Sequence, residues 1–185
     1  MRFGEAQALE WDTDIDFEEK TLSVSKSMYY KSAGEYSIIE PKTKASNRII
    51  AIDDDTIGFL KTWKNVQLRN CPSKYFLSYI GLPTNRSATY HIIERHSKLA
   101  IVHRIKTHAL RHSHASLLIS LGENALVVRD RLGHEDIQTT LGTYGHLYPN
   151  TNREVANKLN NIITVSRDDK IKRKLVSNQY INSAH

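Results

Sequence analysis

The residue types able to do chemistry crowd into one stretch of this chain. The segment THALRHSHASLLISLG, beginning at Thr107, sets His108 and Arg111 three residues apart. On a helix that spacing projects the two side chains about 60° from one another. With Thr107 as the cap, both fall on the first turn, where free backbone N–H groups and the helix dipole favour an anion. Arginine donates two parallel hydrogen bonds to phosphate oxygens, so a phosphate is the ligand these types suit. Downstream, RLGHEDIQTTLGTYGHLYP places His134 directly after Gly133, and Tyr144 ten residues beyond that histidine. A phenol with an ordinary pKa near ~10 needs electrostatic help to act as a nucleophile at neutral pH. Taken singly, the helix reads as a polar solvated face and Tyr144 as a packing aromatic. The chemistry rests on the combination.

A metal site competes for the same segment, because His108 and His112 are four apart and His114 is near. Zinc hydrolases with that spacing carry a carboxylate base between the histidines, as in H-E-x-x-H. Here Ala109, Leu110 and Arg111 intervene. A guanidinium beside a dication is unfavourable, so neither a metal nor any other cofactor is expected.

These residues need elements to hold them. Phe3 to Leu9 reads as a short helix ended by the acidic turn WDTDIDFEE. Thr21 to Tyr30, SIIEPKT and NRIIAID are rich in β-branched and aromatic residues. They predict a three-stranded antiparallel meander with a hairpin between Ile39 and Ile50, turning at Lys44–Ser46. From Thr56 the pattern is helical, with Ile57, Leu60, Trp63 and Leu68 near one face. YFLSY reads as a short extended piece, and Pro72, Gly81 and Pro83 punctuate the connection. A helix follows, capped by Thr84 or Asn85 and running to about Ala100. Three more are predicted over Thr107–Leu121, Asn124–Leu132 and Asp136–Tyr144, with Gly122 and Gly133 at helix ends. Leu110, Leu117 and Leu121 mark the expected buried face of the first. Arg153 to Ile163 is amphipathic, with Val155, Leu159, Ile162 and Ile163 on one side. It suits packing on its own domain or docking on a neighbouring protomer, and packing in cis is the expectation for an isolated domain. Strands first and helices afterwards predict an α+β fold, mostly helical, with a small three-stranded antiparallel sheet near the N-terminus. The expected domain covers residues 1–165, followed over 166–185 by a polar, basic tail that frays.

The 185 residues suit one domain, and the formal charge of +6 favours an anionic partner. A single cysteine, Cys71, excludes an internal disulfide framework. No apolar run has the length of a membrane span, and MRFGEAQALEWD lacks the apolar core of a signal peptide. A cytoplasmic protein with no membrane partner is expected.

HALRHSHASLL followed by RLGHEDIQTTLGTY resembles the tyrosine recombinase (phage integrase) family. Its members show His-x-x-Arg opening a helix, Leu-Gly-His later, and a Tyr after Thr-Thr-Leu-x-x. The resemblance extends from about Met1 to Pro149. In the opening MRFGEAQALEWDTDID the family's first phosphate-binding arginine falls on Arg2, with Glu5 as the acidic residue after it. PKTKASNRIIAI resembles the family's lysine-bearing hairpin, which puts its lysine at Lys42. Lys44, two positions away, faces the same side of a strand, so either amine is a candidate.

The resemblance implies the catalytic domain of a site-specific DNA recombinase that forms a 3′-phosphotyrosine link. Tyr144 would attack the scissile phosphate. Arg2 and Arg111 would hold its non-bridging oxygens, and His134 would donate to it. His108 would accept the Tyr144 proton or ligate phosphate, and Lys42 would protonate the leaving 5′-oxygen. Lys44, Asn85, Arg86, Ser87, Tyr90 and His91 are candidate DNA contacts. The implied partners are double-stranded attachment sites and a homotetramer on DNA, with the isolated domain a monomer. The start at Arg2 implies that the family's N-terminal DNA-binding domain and the first part of the catalytic domain precede this segment. A type IB topoisomerase-like nicking-closing enzyme and a DNA-binding remnant are the alternatives, and the complete catalytic set disfavours the remnant.

Overall fold

A computed structural model describes residues 1–32, 34–41, 43–149 and 152–160. They fall in two compact units, Met1–Tyr148 and Pro149–His185. The first unit begins with α1 (Phe3–Ala8) and α2 (Trp11–Asp14), then β1 (Ile15–Asp16), β2 (Thr21–Val24), β3 (Ser27–Ser32) and β4 (Glu35–Ile39). A 3-10 turn at Lys44–Ser46 leads into β5 (Arg48–Ala51) and α3 (Asp54–Asn70). A two-residue pair, β6 (Ser78–Tyr79) and β7 (Leu82–Pro83), precedes four helices: α4 (Arg86–Leu99), α5 (Thr107–Ser120), α6 (Ala125–Leu132) and α7 (Ile137–Tyr144). In the second unit the described helix is α8 (Asn152–Leu159), with Val155 and Leu159 both exposed. Ile162, Ile163 and the tail from Ser166 lie outside the described residues.

The α+β expectation holds, with the strands wired differently. Thr21–Tyr30 is two strands in two sheets. β2 pairs antiparallel with β5, with Leu22 opposite Ile50 and Val24 opposite Arg48, and β1 pairs with the other edge of β2. β3 and β4 form a separate ribbon with Met28 opposite Ile38. The expected meander is therefore replaced by a three-stranded sheet in the order β1-β2-β5 and a detached hairpin. The expected acidic turn after α1 is a helical turn and the first strand, because Trp11 and Ile15 are needed in the core.

That core gathers Leu9, Trp11, Ile15, Leu22 and Val24, with Leu60 and Phe76 packed against it. Fully burying one such aliphatic side chain contributes about 1.5–3 kcal/mol. Ile57 of α3 is buried as expected, but Leu68 and Trp63 are largely exposed and Gln67 takes an inward position instead. Gln67 earns that place by polar pairing. Its Oε1 accepts from the Trp11 indole at 2.5 Å, and its Nε2 donates to the Tyr75 carbonyl and to Ser78.

Helix ends follow side-chain chemistry. Asn85, Asn124 and Asp136 each cap a helix by accepting from backbone N–H groups two or three residues on. At α5 the cap position is Lys106, without a side-chain bond, and Thr107 is already helical. His108 therefore sits one position deeper than the sequence implies, still in the first turn.

The inward face of α5 is also reversed. Arg111, Ala115 and Ile119 are buried, whereas Leu110, Leu117 and Leu121 are exposed. Ala115 and Ile119 pack with Val128, Leu132 and Tyr144 in a second core.

Candidate active site

Arg111 defines the centre. It projects from α5 towards the last turn of α6, whose terminal carbonyls have no helical partner. Its Nη2 donates to the Leu132 carbonyl at 2.7 Å. Its Nη1 is buried and has no hydrogen-bond partner among the described residues. Burial, then the charge of Arg2, pulls the guanidinium down to about 10. A cation so enclosed, with an unspent donor, suits an anion.

Arg2 arrives from the N-cap of α1. Its Nη1 donates to Glu5 Oε1 at 2.8 Å and to Ser46 Oγ at 3.4 Å, and its Nη2 donates to the Gly133 carbonyl at 3.3 Å. Glu5 is buried and accepts from the Arg2 backbone N–H and from Arg48 Nη2, at 2.7 and 2.9 Å. Burial alone would raise the Glu5 carboxyl, but the Arg48 hydrogen bond and the Arg2 amide outweigh it and hold it below the ordinary value. Arg48 also donates to the carbonyls of Arg131 and Ser46. One carboxylate thus ties α1, the 3-10 turn, β5 and the end of α6 together. Gly133 favours this closure: φ is +69°, and a Cβ there would come within 2.6 Å of Arg48 Nη1.

His134 follows on the turn. Its Nδ1 lies 2.9 Å from Thr140 Oγ1, a buried hydroxyl of α7. Burial first, then Arg111, Arg2 and Arg48, push its pKa down to about 4, so the ring is neutral near pH 7. His108 is exposed on the first turn of α5 and its pKa is lowered by burial, His112 and Arg111. Its ring stands edge-to-face on His112, centroids 4.7 Å apart. Tyr144, at the end of α7, is only 4% exposed, and its hydroxyl lies 2.6 Å from His112 Nδ1. Burial raises the phenol pKa, with Arg111 opposing.

The structure thus brings Arg2, His108, Arg111, His134 and Tyr144 around one locus. Lys44 is exposed on the turn whose Ser46 meets Arg2. Lys42 lies outside the described residues. On α4, the Asn85 oxygen is committed to the helix cap. Arg86 lies over the Phe3 ring, Ser87 and His91 are exposed, and Tyr90 lies under the Arg104 guanidinium at 4.4 Å. Beside the locus, the segment His103–Lys106 and the α5 residues His108, Ala109 and His112 line an open depression of about 550 Å³.

Sequence reasoning missed Arg48, Ser46, Thr140 and the Leu132 and Gly133 carbonyls, and weighed His112 only as a metal ligand. For Arg48 a signal existed, since Arg48 and Ile50 share a face of β5. For the carbonyls no side-chain signal exists. Among the described residues no cluster of His, Cys, Asp and Glu could hold a metal ion, and no helix is long and apolar enough to cross a membrane.

Comparison with known proteins decides the family. The phage integrase family profile matches residues 1–151. The chain belongs to the phage integrase family. Among the integrases it resembles, the ICEBs1 integrase of Bacillus subtilis is 34% identical over 171 residues, covering 88% of this chain and 46% of that protein. The integrase of Staphylococcus phage L54a is 29% identical over 174 residues, covering 88% and 49%. The Tn1549 transposon integrase, solved in complex with transposon right-end DNA, aligns with a TM-score of 0.68 at 21% identity, covering 88% of this chain and 55% of that one. At that identity the likeness shows the fold. This integrase-family chain spans about half the length of the curated relatives it matches.

Proposed function

We propose that this integrase-family chain carries the catalytic machinery of a site-specific recombinase, cutting and rejoining duplex DNA through a 3′-phosphotyrosine at Tyr144. One observation carries the reading. A buried guanidinium, Arg111, keeps an unspent donor in the same locus as Arg2, two neutral imidazoles and a tyrosine hydroxyl. Three guanidiniums, Arg2, Arg48 and Arg111, stand near the single carboxylate of Glu5, and that surplus of positive charge suits the growing negative charge of phosphoryl transfer.

In the proposed step the Tyr144 oxygen attacks phosphorus, and the bond from phosphorus to the 5′-oxygen breaks. Arg2 and Arg111 hold the two non-bridging oxygens, and a histidine takes the Tyr144 proton, His108 serving as that acceptor or as a phosphate ligand. His134 donates from Nε2 while Thr140 holds its Nδ1. The hairpin lysine, Lys42 or Lys44, protonates the departing 5′-oxygen. The covalent link keeps the phosphodiester energy, so a 5′-hydroxyl from another strand can reverse the step. DNA is held chiefly by backbone contacts, from Lys44, Asn85, Arg86, Ser87, Tyr90 and His91, and binding falls steeply with salt. The DNA-bound species is a homotetramer, working in the cytoplasm.

A pool of nicked duplexes randomised around the nick tests this. The chain is expected to yield a denaturant-resistant protein–DNA adduct, and Tyr144→Phe none. Failure of the wild-type chain to form any adduct would overturn the reading. Exchange between two captured sites, rather than relaxation of supercoils alone, separates recombination from topoisomerase-like nicking and closing.

A further inference from the structure

We infer that His112 is the proton acceptor that activates Tyr144, through the hydrogen bond between its Nδ1 and the tyrosine hydroxyl. The inference rests on Tyr144 being the nucleophile, and it divides two roles that the sequence left together on His108.

The geometry separates the histidines. His112 Nδ1 lies 2.6 Å from Tyr144 Oη, within reach of a direct proton transfer. The rings are 5.6 Å apart and tilted by 56°, so the imidazole edge addresses the phenol oxygen rather than stacking on the ring. His108 meets His112 edge-on and opens to solvent on the first turn of α5, where backbone N–H groups gather an anion. His108 therefore suits the phosphate and His112 the phenol.

The chemistry requires such a partner. Tyr144 is buried, and burial holds its hydroxyl above the ordinary phenol value. At pH 7 fewer than about one phenol in 10³ would be ionised, even at an ordinary pKa of ~10. In the inferred step the Tyr144 O–H bond breaks and its proton passes to His112 Nδ1. The freed electron pair forms the O–P bond, and the P–O5′ pair leaves with the 5′-oxygen, which takes a proton from the hairpin lysine. On rejoining, the 5′-hydroxyl gives its proton back to the hairpin lysine and attacks phosphorus, the bond from phosphorus to the tyrosine oxygen breaks, and His112 returns its proton to that oxygen. His112 Nδ1 must be bare beforehand. Around it stand His108 and Arg111 on its own helix, and Arg104 and Lys106 on the segment lining the same depression. His103 lines that depression too, His134 feels the charge of His112 across the locus, and His146 sits on a second 3-10 turn, Gly145–Leu147, packed against α5.

The test uses the 185-residue chain and adducts captured from the randomised nicked pool. His112→Asn should slow single-turnover adduct formation by about 10²-fold. The residual rate of the variant should climb with alkali, as more of the phenol ionises without a partner. A 5′-bridging phosphorothiolate, whose sulfur leaves without a proton, should not rescue the variant. Wild-type rates in His112→Asn would overturn the inference, as would rescue by the phosphorothiolate. An arm without DNA stands beside these. Imidazole nitrogen resonances of wild-type chain should give His112 as the Nε2–H tautomer, with a Nδ1 signal that moves in Tyr144→Phe. A protonated Nδ1, or a signal indifferent to Tyr144→Phe, overturns the inference even if His112→Asn does not fold. Absence of any wild-type adduct fails the nucleophile reading itself, whereas a normal adduct with an unaffected variant fails only the role of His112.

Discussion

Two cores of the first unit are built on opposite terms. Around Trp11 and Val24 the buried polar groups are spent. The indole of Trp11 meets Gln67, Gln67 meets Tyr75 and Ser78, and apolar side chains fill the rest. Around Arg111 they are held open. A buried guanidinium keeps a donor without a partner, two histidines are kept neutral, and a phenol is buried. The first arrangement holds the molecule together. The second forgoes stability and retains the charge a phosphate would satisfy. The bridge between them is Glu5, the buried acid that Arg2 and Arg48 share.

That contrast can be broken most sharply at Arg111. Arg111→Met should lower adduct formation by at least about 10³-fold. Its melting temperature should stay level or rise, because a buried unpaired cation is replaced by an apolar chain of similar volume. A large loss of melting temperature would make Arg111 a structural residue and erase the distinction. Next comes the bridge. Arg48→Ala leaves Glu5 short of its strongest partner and should cost about 3–5 kcal/mol in denaturant unfolding. The double variant Glu5→Gln with Arg48→Ala should cost clearly less than the sum of the two singles. On the other side, Leu9→Ala should cost about 2–4 kcal/mol while leaving cleavage per folded molecule unchanged.

A smaller effect is expected at Gly133, where Ala must adopt φ +69° and crowd the Arg48 guanidinium. Loss of about 1–2 kcal/mol, with weakened DNA binding through displaced Arg2, is the expected outcome of calorimetric unfolding and filter binding. The smallest effect is titration of His134. Its folded pKa of about 4 lies below the ordinary 6.5. The unfolded chain therefore binds more protons between those values, so stability is complete above about pH 6.5 and declines as pH falls towards 4. The lowered pKa values of His108 and His114 act in the same sense. Denaturant midpoints at pH 7, 6 and 5 measure it. A flat profile would mean that the site stores no such penalty.

Much of the site is legible in the primary structure because its residues lie in helices with local signals. Asn85, Asn124 and Asp136 announce helix starts, and Gly122 and Gly133 announce ends. The face of α5 misleads for a physical reason. Periodicity assumes that the apolar side turns inward, and here Arg111 turns inward while Leu110, Leu117 and Leu121 do not. The strand pairing fails for another reason. Thr21–Tyr30 looks like one strand because β-propensity is local, whereas the choice of β5 as partner of β2 depends on contacts across a long separation.

The sequence by itself determined which charged residues, histidines and tyrosine stand at family-like spacing, the helices that bear most of them, and the family to which they point. Those follow from side-chain types at fixed helical spacing and from turn chemistry, both short-range. Only the tertiary structure decided that Glu5 is clasped by Arg48, that the Leu132 and Gly133 carbonyls hold the two arginines, and that His112 rather than His108 meets Tyr144. Those pairings join elements far apart in the chain. They are selected by where buried donors and acceptors must find one another once water is gone, which no local pattern encodes.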